Sequence, residues 1–175
     1  FTHSQYAALR VKDAIVDRFR EKNNGERPSV DTKNPTVRFN LHISRDLVTI
    51  SLDSSGDPLF KRGYRTKQHL APINEVLAAA MVLESGWDRQ SDFMDAMTGS
   101  GTIAIEAAMI AKKQSPLLRR KQFGFMKWPE FNEPLWAQVV QEAKDTIIPL
   151  EGKIVAMDIH PACVKMAEEH AENAD

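Results

Sequence analysis

The sequence contains 175 residues, of which 42% are hydrophobic and 27% are charged, and this composition is ordinary for a globular protein. Its net charge of −1 excludes a globally basic nucleic-acid-binding protein, and no apolar run is long enough for a membrane-spanning helix. The single cysteine, Cys163, cannot form an internal disulfide, so we expect a cytoplasmic protein without a membrane partner.

The first third of the chain is predicted to form a helix and a β-hairpin. Apolar residues recur at helical spacing over Phe1–Lys22, which indicates an amphipathic helix. Apolar and polar residues alternate over Thr36–Ile43 and again over Leu47–Leu52, and residues 44–46 between them fit a hairpin turn. One helix and one hairpin are too few to form a stable layer alone.

A dense basic run follows the hairpin. Its residues with side chains suited to RNA are Lys61, Arg62, Tyr64, Arg65 and Lys67. The cations could bind RNA phosphates while the tyrosine ring stacks on a base. A solvated exit from the sheet, with Gly63 in a turn, explains the same composition equally well.

Residues 91–108 are predicted to form a short apolar strand, a glycine turn and a helix, after an earlier helix over Leu70–Trp87 that has Pro72 in its first turn. Gly99 and Gly101 allow a sharp turn with accessible backbone N–H groups. The following helix start favours an anionic or polar ligand at this corner.

The acids around this corner favour one ligand over another. Residues 99–104 fit the dinucleotide pattern G-x-G-x-x-G/A, but Asp95 before the turn would repel a pyrophosphate and suits an amino group. The next acid that ends a convincing strand is Asp158, too far along the chain for a minimal dinucleotide unit. These features favour S-adenosylmethionine (SAM) over NAD, although an NAD dehydrogenase and a turn without a ligand stay open.

The rest of the chain supplies further elements and no metal-binding pattern. Helices are predicted over Glu133–Thr146 and Pro161–Asn173, and a second parallel strand over Ile154–Met157. The basic loop over Lys112–Lys121 is expected at the carboxyl edge of the sheet, where a substrate could bind, although a solvated loop is the default explanation of its composition. The histidines and Cys163 lack metal-ligand spacing, so no metal is expected.

Residues 95–108, DAMTGSGTIAIEAA, resemble the D-P-M-C-G-S-G-T-x-x-I-E-A-A motif of the bacterial 23S ribosomal RNA guanine-N2 methyltransferases. Ala96 and Thr98 depart from that motif but keep small side chains. Other stretches similar to this family follow in the same order, namely residues 61–65, 71–80, 123–128, 158–160 and 171–174.

This resemblance implies an α/β protein in two parts. Residues 1–65 would be the end of a THUMP RNA-binding domain, and residues 66–175 the first half of a Rossmann-like SAM-dependent methyltransferase domain. The implied partner is 23S ribosomal RNA, bound through the basic run. The residues expected around SAM are Asp95, Met97, Thr98, Gly99, Ser100, Gly101, Thr102, Asp158, Ile159 and His160.

The family's acceptor motif, N-P-P-[YF], does not occur in this sequence. We therefore expect a fragment of a longer enzyme with no catalytic residue of its own, no turnover and at most weak SAM binding. Two other readings stay open: an adenine-N6 methyltransferase of DNA or RNA, and a non-catalytic RNA-binding module.

Overall fold

The computed structural model describes residues 3–67 and 71–175, which divide into two compact units. The first unit comprises Phe1–Gly56 together with Gly124–Pro129, and the second comprises Asp57–Phe123 together with Glu130–Asp175.

The first unit contains one long helix and one hairpin, as predicted. Helix α1 spans Ser4–Lys22, and the first two residues of the predicted helix lie outside the described residues. Strands β1 (Arg38–Ser44) and β2 (Leu47–Asp53) pair antiparallel around a two-residue turn that starts at Arg45, with φ of 54°. This pairing places the alternating apolar residues of both strands on one face.

The second unit is built around a short parallel strand pair. Its elements are α2 (Glu75–Glu84), β3 (Phe93–Asp95), α3 (Thr102–Ala111), α4 (Glu133–Asp145), β4 (Ile154–Ala156) and α5 (Pro161–Ala174). Strands β3 and β4 pair in parallel from Phe93 opposite Ile154 to Asp95 opposite Ala156. The predicted strand, glycine turn and helix are therefore present, and the second predicted strand lies beside the first.

Helix α2 begins later than predicted. Asn74 is its N-cap, and its side-chain oxygen accepts hydrogen bonds from the N–H groups of Val76 and Leu77. Pro72 precedes this cap by two residues, so its predicted place in the first helical turn is wrong. Leu70, the predicted start, lies outside the described residues.

The basic loop after α3 lies at the amino edge of the sheet, and the prediction of the carboxyl edge is wrong. Helix α3 starts beyond the carboxyl end of β3 and runs back, so its last residue is at the opposite edge. There the Lys112 carbonyl accepts from Ile148 N–H at 2.9 Å, and Lys112 Nζ pairs with Asp175 after the end of α5. The Gln114 side chain also donates to the Ala174 carbonyl at 2.8 Å.

An irregular segment over residues 57–67, here called the strap, packs on α3 and α5. The Tyr64 hydroxyl donates to Glu106 Oε1 at 3.1 Å, and Arg62 Nε donates to the same oxygen at 3.3 Å. The Asn173 side chain on α5 donates to the Tyr64 carbonyl at 3.3 Å. The strap thereby contributes to the apolar core of the unit, which contains Tyr64, Ile105, Met109 and Ala174.

Candidate functional site

The two acids singled out in the sequence lie at the same edge of the sheet. Asp95 is the last residue of β3, and Asp158 follows β4 by two residues. Backbone pairing continues past the strands, because Met157 N–H donates to the Asp95 carbonyl and Thr98 N–H donates to the Met157 carbonyl, both at 2.8 Å. The carboxyl edge, where ligands bind in open parallel sheets, therefore carries both acids and the glycine turn.

Asp158 binds the glycine turn through its carboxylate. Its Oδ2 accepts from Gly99 N–H at 2.9 Å, and its Oδ1 accepts from His160 N–H at 2.9 Å. The Cys163 thiol also hydrogen-bonds this carboxylate. Since a carboxylate has about four acceptor positions in all, the side chain can accept one further bond, from a hydroxyl donor of a ligand. Burial, the nearby Asp158 charge and a hydrogen bond to Asp158 raise the pKa of the Cys163 thiol.

The two carboxylate oxygens of Asp95 differ in their hydrogen bonds. Its Oδ1 accepts from Met97 N–H at a long 3.4 Å. Its Oδ2 is buried and has no hydrogen-bond partner within residues 3–67 and 71–175. Because a buried carboxylate oxygen without a donor is costly, this atom indicates a place where a ligand donor would bind.

The glycine turn depends on its two glycines for different reasons. Gly101 N–H donates to the Thr98 carbonyl at 2.8 Å, and Gly99 and Gly101 have φ of 54° and 84°. A Cβ built on Gly99 meets no atom of the described residues within 4 Å, so the outer side of the turn is open with respect to them. A Cβ on Gly101 would lie 2.9 Å from Ala167 Cβ, because α5 packs directly against this residue.

Polar side chains support the turn from the protein interior. The Ser100 and Thr102 hydroxyls are 3.2 Å apart, and Arg65 Nη2 on the strap donates to Thr102 Oγ1 at 2.8 Å. His170 on α5 lies with Nδ1 2.9 Å from the Ser100 carbonyl oxygen. Neither Arg65 nor His170 was predicted at this turn, and no local pattern around either residue indicates such a contact.

Two apolar side chains next to the acids are almost fully exposed. Met97 is 88% exposed and Ile159 is 89% exposed. The His160 side chain is also exposed, at the N-cap position of α5. Together these residues offer an apolar surface beside the two carboxylates, which suits a ligand with both polar groups and a flat apolar part.

Three of the five residues predicted to bind RNA contact buried acids. Tyr64 is 2% exposed, and its pKa is raised by burial and by the Glu106 charge. Arg62 binds Glu106, and Arg65 Nη1 lies 3.6 Å from Glu75 Oε1. In this structure the Tyr64 ring therefore offers no face to a base, and its side chain belongs to the core.

The other two residues of that set lie on the surface. Lys61 and Lys67 are both exposed, and Lys67 Nζ pairs with Glu169 Oε2 at 2.6 Å. This bond is the main cause of the lowered pKa of Glu169. An exposed pair of this kind contributes little to stability.

Within residues 3–67 and 71–175, no group of three His, Cys, Asp or Glu side chains is arranged to hold a metal ion. No helix in those ranges combines the length and apolar character needed to cross a bilayer.

Comparison with known families gives two matches that together include most of the chain. The family model UPF0020, described as RMKL-like, methyltransferase domain, matches residues 62–175. The THUMP domain model matches residues 1–53.

Similar proteins are longer than this chain. The ribosomal RNA large subunit methyltransferase K/L of Syntrophotalea carbinolica is 49% identical over 146 residues, which are 81% of this chain and 20% of that protein. A predicted N6-adenine-specific DNA methylase from Listeria monocytogenes superposes with a TM-score of 0.83 at 37% identity, covering 94% of this chain and 43% of that one. SMU.472, solved with bound SAH (S-adenosylhomocysteine), superposes with a TM-score of 0.80 at 34% identity, covering 93% of this chain and 42% of that one.

The chain therefore spans about a fifth of the curated relative and less than half of these two solved structures. The superpositions and family matches confirm the predicted α/β fold class.

Proposed function

Because the chain belongs to the RMKL-like methyltransferase family and also matches the THUMP domain, as its motifs predicted, we propose that its glycine turn binds SAM for methylation of ribosomal RNA. The observation that carries this proposal is the buried Oδ2 of Asp95, which has no hydrogen-bond partner in the described part of the chain and lies at the edge that also presents Asp158. When bound, SAM would supply the methyl group, which is bonded to a positively charged sulfur atom and is therefore easily transferred.

The two acids recognise different parts of SAM in this proposal. Asp95 Oδ2 accepts a hydrogen bond from the ammonium group, which replaces the missing donor and also neutralises the buried charge. Asp158 accepts from a ribose hydroxyl in addition to the bonds that it receives from Gly99, His160 and Cys163. The open side of Gly99 lets the ligand approach the backbone closely.

The remaining predicted cofactor residues fall into two groups. Met97, Ile159 and His160 are exposed beside the acids and would pack against the adenine ring. Ser100, Gly101 and Thr102 are buried and would act by holding the turn in shape. Thr98 is also buried, and its Oγ1 has no hydrogen-bond partner among the described residues, so it could accept or donate one bond to the ligand.

The acceptor that we propose is N2 of a guanine in 23S ribosomal RNA. The motif resemblance and the 49% identity to a ribosomal RNA large subunit methyltransferase support it. The alternative acceptor is N6 of an adenine, which the similarity to a predicted N6-adenine-specific DNA methylase supports. Analysis of methylated bases in ribosomal RNA from a strain that lacks the gene separates them: loss of a methylated guanine supports the first, and loss of a methylated adenine the second.

We further propose that different parts of the chain bind RNA and SAM, and that the protein acts in the cytoplasm. Residues 1–65, together with the exposed Lys67, would contribute to RNA binding, and the rest of residues 66–175 to SAM binding. No residue of this chain is proposed as catalytic, because the acceptor motif N-P-P-[YF] does not occur in it.

The SAM site is tested by isothermal titration calorimetry of the full-length protein with Asp95→Asn and Asp158→Asn. Each variant should bind SAM about tenfold to a hundredfold more weakly, because each loses a charge-assisted hydrogen bond. Asp88→Asn is the matched control, since Asp88 is an exposed acid that accepts from the N–H groups of Gln90 and Ser91 before β3. SAM binding that both site variants retain in full would refute the assignment.

RNA binding is tested with the double variant Lys61→Glu/Lys67→Glu, because both residues are exposed and neither supports the core. RNA affinity should fall, and the slope of log K against log salt should decrease by about 2 if each lysine contacts one phosphate. Lys144→Glu on α4 is a control with the same kind of charge change at another exposed position. An unchanged affinity and slope in the double variant would contradict the proposal.

A further inference from the structure

We propose that His170 is a positioning residue for the SAM site, acting through the backbone of the glycine turn; this inference rests on the proposed function. The His170 ring is fully buried, and it lies behind the turn. Its Nδ1 is 2.9 Å from the Ser100 carbonyl oxygen, and its Nε2 is 3.3 Å from the Lys67 backbone nitrogen.

The two partners of the ring determine its protonation state. The Lys67 amide can only donate, so Nε2 must carry the lone pair. Nδ1 then carries the proton and donates it to the Ser100 carbonyl. A neutral imidazole in this one tautomer satisfies both partners, whereas the other tautomer or the imidazolium ion leaves two N–H groups facing each other at Lys67.

His170 binds one peptide group of the turn, the one between Ser100 and Gly101, through its carbonyl oxygen. The Ser100–Gly101 peptide has its carbonyl bound by His170 and its N–H bound to the Thr98 carbonyl at 2.8 Å. The preceding Gly99 N–H binds Asp158, so any rotation of the turn also moves the carboxylate proposed to bind ribose. The conformation of the turn and the orientation of Asp158 are therefore coupled.

Removing the His170 donor would change this arrangement. Ser100 is 4% exposed, so without His170 its carbonyl would be buried and unpaired. Such a group is costly, which favours a rotated turn that restores a partner. Helix α5 places two residues against the turn one helical turn apart, since Ala167 meets Gly101 and His170 meets Ser100.

Two substitutions at this position separate its two hydrogen bonds. In His170→Asn, the amide nitrogen lies near the place of Nδ1 and can still donate to the Ser100 carbonyl. In His170→Gln, the longer side chain places its oxygen near Nε2, so it can accept from Lys67 N–H but does not bind Ser100. Tyr64→Phe is a control that removes a buried strap hydrogen bond, to Glu106, which does not involve the turn.

The measurement is SAM affinity of the full-length protein by calorimetry, with RNA affinity and thermal unfolding recorded in parallel. We expect His170→Asn and Tyr64→Phe to bind SAM within about twofold of wild type, and His170→Gln to bind about tenfold more weakly with unchanged RNA affinity. Wild-type affinity in His170→Gln, or weaker binding in His170→Asn than in His170→Gln, would overturn the inference. Wild-type protein that does not bind SAM would instead refute the proposed function.

A second measurement needs no folded variant. Long-range proton–nitrogen NMR of the wild-type protein reports which ring nitrogen of His170 carries the proton. The Nδ1–H tautomer with an unprotonated Nε2 is expected, and a proton on Nε2 would overturn the inference even if both variants fail to fold.

Discussion

Replacing Gly101 with alanine should destabilise the second unit by two separable effects. The residue has φ of 84°, and an L-residue in this region costs about 1–2 kcal/mol. The new Cβ would also lie 2.9 Å from Ala167 Cβ and 3.0 Å from Ala167 Cα. Because the second atom belongs to the backbone of α5, the helix itself must shift, and overpacking of this kind costs about 1–3 kcal/mol. The expected total is about 2–5 kcal/mol.

Gly99→Ala is the matched control. Gly99 has φ of 54°, and a Cβ there meets no atom within 4 Å in the part of the chain that the structure describes. Only the backbone effect applies, so a loss of about 1–2 kcal/mol is expected. The difference between the two variants therefore measures the collision with α5.

The assay is urea unfolding followed by circular dichroism, together with SAM titration of each variant. Gly101→Ala should lose more stability than Gly99→Ala. Gly99→Ala should bind SAM more weakly even under conditions where the variant is fully folded. The reason is that its methyl group projects from the open side of the turn, where the ligand is proposed to approach. Equal unfolding free energies for the two variants would refute the packing argument, and unchanged SAM affinity in Gly99→Ala would contradict the direction of ligand approach.

Further predictions concern titration and capping in the second unit. Carboxyl NMR should show the pKa of Glu106 above its ordinary value of 4.5, because burial raises this pKa more than Arg62 lowers it. The same experiment should show the pKa of Glu169 below 4.5, because the hydrogen bond from Lys67 lowers it. The reverse order of the two pKa values would contradict the structure. Folded Glu106 retains its proton above the pKa that it has in the unfolded chain. Its stabilising contribution is therefore present below pH 4.5 and is lost as pH rises through the folded pKa. Glu106→Gln should remove this part of the pH dependence of the free energy of unfolding. Asn74→Ala should lower the free energy of unfolding by about 1 kcal/mol, because α2 loses its side-chain cap, and no change would contradict the cap.

The elements and the ligand corner could be predicted because their signals are local. Alternation over the hairpin and the run from Phe93 to Gly101 depend on residues that are neighbours in the chain. The order of residues alone therefore indicated a turn at Gly101 and a candidate ligand group at Asp95. The family match over residues 62–175 agrees with what these motifs implied.

Contacts between distant residues could not be predicted in this way. The basic residues around Tyr64 suggested an exposed ring. In the structure the Tyr64 hydroxyl donates to Glu106, 42 positions later, and the Tyr64 side chain is buried in the core. The basic loop was expected at the ligand edge, but the reversal of α3 against β3 takes it to the opposite one.

The sequence by itself determined the family, the strand–turn–helix corner and the two acids, because residue order and spacing specify each of them. Only the tertiary structure decided which carboxylate oxygen has no hydrogen-bond partner among the described residues, and which buried side chain binds the turn. The His170 ring reaches Ser100 across 70 positions and the Lys67 amide across 103, and only the packing of α5 brings these atoms together.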